Sequence, residues 1–174
     1  MSTIETLRNN NISSLWHFTD RSNVASIMEN GILSLKKIHE NNVEACFGAD
    51  ELSHFLDQGR GLDAFVHLSF MNDHPMYHVA LSRGSIANPV WIEIDISILD
   101  DREAVFSPEV ANKNGAKIYR MDKVDEKINF NKMYHRDFDI RKNARKAELM
   151  IFGKIKKKYI VSICDVNTGE TYGK

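Results

Sequence analysis

Cysteine is scarce in this chain: Cys46 and Cys164 are the only two among 174 residues. They cannot build a disulfide framework and lack metal-type spacing, so the expected setting is a reducing cytoplasm. With three prolines and nine glycines the sequence shows no flexible linker, internal repeat or low-complexity tract. No apolar run approaches the ~20 residues that a membrane-spanning helix needs. The opening Met-Ser-Thr-Ile-Glu-Thr-Leu-Arg also lacks the apolar core of a signal peptide, and the expectation is a soluble protein. A Gly-x-Gly-x-x-Gly after a strand and a Walker-type loop are both missing, which argues against a Rossmann or P-loop site. Excess charge is missing too. The 23 basic and 24 acidic residues give a net charge of −1, unlike a strong binder of duplex DNA.

What is present fits one ordinary globular domain. Hydrophobic residues make up 43% and charged residues 27% of the chain. The expectation is a single domain over residues 1–174 with its core at about 15–164. Val90, Ile92, Ile94 and Ile96 alternate with Trp91, Glu93 and Asp95, the clearest half-buried strand in the sequence. Strands are also expected at residues 15–18, 64–70, 147–152 and 159–164, and helices at 23–30, 50–56, 76–81 and 140–146. Residues 129–139 read either way, and residues 165–170 make a turn. Strands and helices mix without regular alternation, which predicts an α+β fold.

Two segments carry chemistry. Residues 145–152, Arg-Lys-Ala-Glu-Leu-Met-Ile-Phe, set Glu148 at the mouth of an apolar strand closed by Gly153. A carboxylate there can be held rigidly while facing a cleft, as a catalytic acid or base needs; the plain alternative is a solvated strand-end charge. Far upstream, residues 15–18 suit a short strand, and Asp20 or Ser22 can cap the helix that follows. Val24, Ile27 and Met28 mark the buried side of that helix and Gly31 supplies its stop. His17 and Thr19 thus lie where a strand hands over to a helix, a place that suits a polar or anionic ligand.

Taken together these segments resemble the DarT family of ADP-ribosyltransferases, which modify bases of single-stranded DNA. The resemblance rests on His17-x-Thr19, then Asn23-Val24-x-Ser26-Ile27 and Gly31-Ile32, a middle block with Pro75-Met76, and Lys146-x-Glu148-Leu149. It implies an ADP-ribosyltransferase-like split β-sandwich of two small sheets with an NAD cleft between them. It implies Glu148 as catalytic glutamate, and His17, Thr19 and Asn23 as NAD contacts. It implies an arginine from the irregular segment before the middle strand, for which Arg60 is best placed and Lys36 or Lys37 next. Met76 and Tyr77 either wall the nicotinamide pocket or pack as plain core. Arg145, Lys146 and Lys154, in two basic runs that flank the Glu148 strand, are expected DNA contacts; an enzyme gripping a few nucleotides needs few phosphate contacts. The resemblance further implies a monomeric toxin of a toxin–antitoxin system, paired with a macrodomain antitoxin.

The main competitor is a metal-dependent hydrolase. His74 and His78 lie at i,i+4 spacing with His67 and Asp73 nearby, which can ligate one metal, although Pro75 intervenes and no third ligand is evident. A cysteine nucleophile is disfavoured, since Cys164 lies in an apolar strand and Cys46 in an undistinguished loop. An RNA-directed transferase of the same fold is the other alternative.

Overall fold

The structure, a computed structural model, describes residues 2–45 and 60–173. Its backbone is a sheet of eight strands in the order β10-β9-β4-β1-β3-β7-β5-β6. The strands are β1 (Ser14–Asp20), β3 (Phe65–Ser69), β4 (Pro89–Asp95), β5 (Ala104–Ser107), β6 (Tyr119–Arg120), β7 (Glu148–Phe152), β9 (Ile160–Asp165) and β10 (Thr171–Gly173). A second small sheet pairs β2 (Ile32–Leu33) with β8 (Lys154–Ile155). Helices α1 (Thr3–Asn9), α2 (Val24–Asn30), α3 (Leu35–Glu40) and α4 (Pro75–Ser82) pack around these sheets. Short helices α5 (Ile98–Asp101), α6 (Val124–Lys127), α7 (Phe130–Met133) and α8 (Phe138–Ala144) complete the set among the described residues. The α+β expectation holds. The expected helix at residues 50–56 lies outside the described residues, as does Cys46.

The join between the two halves of the large sheet decides the architecture. β1 pairs with β4 over seven Cα partners, from Ser14↔Asp95 to Asp20↔Pro89. β3 pairs with β7 over five, from Phe65↔Phe152 to Ser69↔Glu148. Between β1 and β3 there is only Trp16↔Ser69. Beyond that point the strands diverge, and the sheet opens into two arms.

Local sequence explains each arm. β4 is buried on both faces for much of its length. Val90, Ile92 and Ile94 are completely buried on one side. On the other, Trp91 packs edge-on against Phe18 and tilted against Tyr77. The half-buried expectation is thus corrected: aromatic rings from β1 and α4 cover the second face. β7 is a central strand whose Leu149, Met150 and Ile151 are completely buried. Each such side chain contributes about 1.5–3 kcal/mol of hydrophobic stabilisation. Leu149 and Ile151 join the main core, whereas Met150 faces the opposite side beneath Leu62 and Ala111. Those two loop residues therefore cover the same face of β7 that carries Glu148.

The segment after β1 folds as its caps dictate. The Asp20 carboxylate accepts the Ser22 N–H at 2.9 Å and also the N–H groups of Ala87 and Asn88, tying the end of β1 to the loop before β4. Gly31 ends α2 with φ of +80°, and a Cβ there would overlap the Ile155 carbonyl oxygen. Only glycine satisfies both demands. This close approach seats the β2–β8 sheet against α2.

Candidate active site

The divergence of β1 and β3 opens a cavity of about 230 Å³. One wall is β1 and the start of α2, with His17, Thr19 and Asn23. The other carries His67 and Ser69 from β3, Glu148 from β7 and His74 from the turn before α4. Ile27, Ile32, Leu33 and Leu35 line an apolar flank, and Val110 and Asn112 close over the Glu148 side. His17, Thr19, Asn23, Met76 and Glu148, expected from sequence as site residues, therefore meet in one cleft.

His17 is oriented by the backbone of the opposite wall. Its Nδ1 lies 3.1 Å from the His67 carbonyl oxygen, so Nδ1–H donates and Nε2 keeps its lone pair. Burial pushes the imidazole pKa below its ordinary value, outweighing the opposing effect of that carbonyl, and the nearby His67 ring adds to the fall. His17 is a neutral acceptor at neutral pH. Two residues on, buried Thr19 accepts the Asn23 side-chain N–H at 2.7 Å, which leaves its hydroxyl hydrogen as a donor.

Glu148 is 6% exposed, so the reading of a solvated strand-end charge fails. Its register partner Ser69 bonds elsewhere, to the Met71 carbonyl at 2.6 Å. Its own oxygens are met by two histidines. Oε2 lies 3.0 Å from His67 Nδ1 and accepts the Ala111 N–H at 3.4 Å, while Oε1 lies 3.4 Å from His74 Nε2. Burial pushes the carboxyl pKa up. The His67 hydrogen bond, the two imidazoles and the Ala111 amide outweigh it and hold the pKa below the ordinary value. His74 is 2% exposed, and burial chiefly lowers its own pKa against the pull of Glu148 and the Lys146 carbonyl. Neutral His74 thus acts on Glu148 through an N–H dipole rather than a full charge. The result is a buried carboxylate, ionised at neutral pH, facing a neutral acceptor across a cleft.

The remaining expected site residues are placed less directly. The Arg60 guanidinium is directed to the Ala111, Lys113 and Ala116 carbonyls, at 3.3 Å for Lys113 and 2.6 Å for Ala116, and does not line the cleft. Flanking Gly61 takes φ of +72°, and the loop of residues 111–116 offers a ready set of acceptors. Met76 lines the cleft; Tyr77 packs edge-on against Phe18 as core. Arg145 donates to both Asp73 oxygens at 2.7 and 2.8 Å and lies over the Phe138 ring, so its charge is already matched. Lys146 donates to the Asn143 side chain at 3.1 Å. Lys154 lies on the surface with Arg102, Lys156, Lys158 and Asp101, on the strand that pairs with cleft-lining β2.

The metal-site alternative does not assemble. His67 and His74 turn to Glu148, whereas His78 turns outward to Asp73 at 2.7 Å. No group of three or more His, Cys, Asp or Glu suited to a metal occurs among the described residues. Sequence reasoning named His67 and His74 only as ligands for that metal and missed them as partners of the glutamate. Their positions in β3 and before Pro75 gave no local signal for it.

Comparison with known proteins points the same way. The family model described as "ssDNA thymidine ADP-ribosyltransferase, DarT" matches residues 16–171. Among solved structures, Thermosipho africanus DarTG in complex with ADP-ribose is 21% identical with a TM-score of 0.71; the match covers 88% of this chain and 44% of that one. This chain thus spans less than half the length of that relative. Thermus sp. 2.9 DarT in complex with ADP-ribosylated ssDNA is 12% identical with a TM-score of 0.66, covering 89% of this chain and 82% of that one. The same Thermus protein in complex with NAD+ gives 12%, 0.65, 88% and 82%. No match was found among curated proteins.

Proposed function

Since the chain belongs to the DarT family of single-stranded-DNA thymidine ADP-ribosyltransferases, we propose that it transfers ADP-ribose from NAD to a thymidine base in single-stranded DNA. The observation that carries the reading is the buried, ionised Glu148 opposite the neutral acceptor His17 in the cleft between β1 and β3. The groups present suit NAD as co-substrate. Thr19 and His17 offer a donor and an acceptor to ribose hydroxyls, and the Ile27, Ile32, Leu33 and Leu35 flank suits a flat ring. Membership and geometry favour this over the metal-dependent hydrolase, for which the described residues offer no ligand set.

In the proposed reaction the bond from the ribose C1 to the nicotinamide nitrogen breaks, and nicotinamide leaves with the electron pair as a neutral molecule. The ribose gains cationic character, and Glu148 opposes that charge without solvent rearrangement. A bond then forms from C1 to the thymine ring nitrogen, which must give up its proton. Glu148 is the base that takes it, a step worth about 10²–10⁴ in rate. Arg60 serves this chemistry by holding the carbonyls of residues 111–116, because the Ala111 N–H is one of the contacts to Glu148. Lys154 and Lys146 supply phosphate contacts, with Arg145 bracing α8 behind them. The protein acts as a monomeric cytoplasmic toxin, countered by a macrodomain antitoxin that removes the mark. Among the described residues no helix is long and apolar enough to cross a membrane.

The test is incubation of the purified protein with labelled NAD and, in parallel, thymidine-containing single-stranded DNA, the same sequence without thymidine, RNA and a protein mixture. Label on the first substrate alone is expected. Label on RNA or protein but not on DNA would overturn the substrate assignment.

A further inference from the structure

The two oxygens of Glu148 are not held alike, and the difference lies in the protonation of its partners. His74 caps α4: its Nδ1 accepts the Met76 N–H at 3.2 Å, so its one proton is on Nε2. That single N–H is shared between the Lys146 carbonyl at 3.3 Å and Glu148 Oε1 at 3.4 Å. Oε1 is therefore loosely held. His67 is different. Its Nδ1 faces Glu148 Oε2 at 3.0 Å and its Nε2 faces the Leu62 carbonyl at 3.1 Å. Both neighbours are acceptors. A neutral imidazole has one N–H and leaves a lone pair against an oxygen, whereas an imidazolium satisfies both.

We propose that His67 is a positioning residue that acts as an imidazolium, anchoring Oε2 of Glu148 to the Leu62 loop and leaving Oε1 as the oxygen that works on the substrate. The inference rests on the transferase reading above. Three features beyond the two distances support it. His67 and Glu148 project from the same face of neighbouring strands, since His67 pairs with Met150, two residues along from Glu148. The Ala111 N–H also chooses Oε2, so both firm contacts converge on one oxygen. The His67 backbone carbonyl orients His17, so the residue links the two walls of the cleft. Among the described residues, the titratable and charged groups acting on this cluster are Glu148 on β7, His74 before α4, His17 on β1 and Arg145 at the end of α8.

The proton count sets the pH dependence. Glu148 must be ionised and His67 must be charged, so kcat should fall on the acid side as Glu148 is protonated and on the alkaline side as His67 is neutralised. His67→Leu removes the anchor, and kcat should drop about ten- to a hundredfold, the scale of one charge-assisted hydrogen bond. The KM for NAD should stay within about threefold. The acid limb should also move to higher pH, because Glu148 loses the contact that lowers its pKa. His67→Asn places an amide N–H near the Nδ1 position but cannot titrate. It should keep more than about a tenth of the rate and lose the alkaline limb.

The experiment is the kcat–pH profile of wild type and both variants with labelled NAD and thymidine-containing single-stranded DNA, with thermal melts as folding controls. Wild-type kcat and profile in His67→Leu, or an alkaline limb retained in His67→Asn, would overturn the assignment. If His67→Leu does not fold, the Asn variant decides alone. Absence of transfer by the wild type would sink the transferase reading itself, a distinct outcome.

Discussion

His17 Nδ1 lies 3.1 Å from the carbonyl oxygen of His67, and this is a polar bridge across the place where β1 and β3 part. The contact fixes the tautomer of His17 and turns its Nε2 lone pair toward the cleft. A histidine held this way binds by accepting, which is what a ribose hydroxyl requires.

His17→Ala should therefore weaken NAD binding. Loss of a hydrogen bond in a partly desolvated site costs about 0.5–1.5 kcal/mol, or roughly three- to tenfold in Kd. His17→Gln, which offers an acceptor at similar reach, should recover part of it. Calorimetric titration with NAD measures the effect, and equal affinity in wild type and His17→Ala would remove His17 from the site.

The buried histidines also set the acid stability. His17 and His74 both have folded pKa values below the ordinary 6.5. The unfolded chain therefore binds protons that the native state refuses. Their contribution is intact above pH 6.5 and is lost as pH falls below it, at up to about 1.4 kcal/mol per pH unit for each histidine. Glu148, Asp20 and Asp73, held below their ordinary values, add to the loss at lower pH. Melting temperature should fall steadily from pH 6.5 to pH 5, and His74→Asn should flatten that slope. A constant melting temperature across the interval would contradict the burial of these imidazoles as neutral groups.

Arg60→Ala should lower the rate without abolishing NAD binding. The guanidinium holds three carbonyls of residues 111–116, and that loop touches Glu148 through the Ala111 amide. Freeing it leaves Oε2 with fewer contacts, so kcat should fall about tenfold or more with the Kd for NAD changed little. A large loss of NAD affinity with kcat preserved would place Arg60 on the dinucleotide instead.

Much of this was legible because it is local. Alternation marked β4, a continuous apolar run marked β7, and Gly31 marked the end of α2. The residue types at 17, 19, 23 and 148 were recognisable because a shared fold keeps them in order. A further local signal was present and went unused: Ser2 and Glu5 form a capping box that starts α1. What sequence could not show is pairing at long range. His67 and Glu148 are 81 positions apart and meet only because β3 and β7 are neighbours. β5 and β6 are short strands of four and two residues, too brief for a periodic signal. Arg60 looked free to turn inward beside two glycines; the carbonyls that hold it come from more than fifty residues away.

The most direct test of the central claim is Glu148→Gln, assayed for label transfer from NAD to thymidine-containing single-stranded DNA. Glutamine keeps the size of the side chain and a carbonyl oxygen for the His67 and Ala111 contacts, so the melting curve and NAD affinity should stay close to wild type. It lacks the charge that opposes the cationic ribose and the basic oxygen that takes the proton. Transfer should fall by at least about 10³-fold, the lower end being set by loss of both roles together. Label transfer at the wild-type rate by a folded Glu148→Gln protein would contradict the assignment of this carboxylate as the catalytic group.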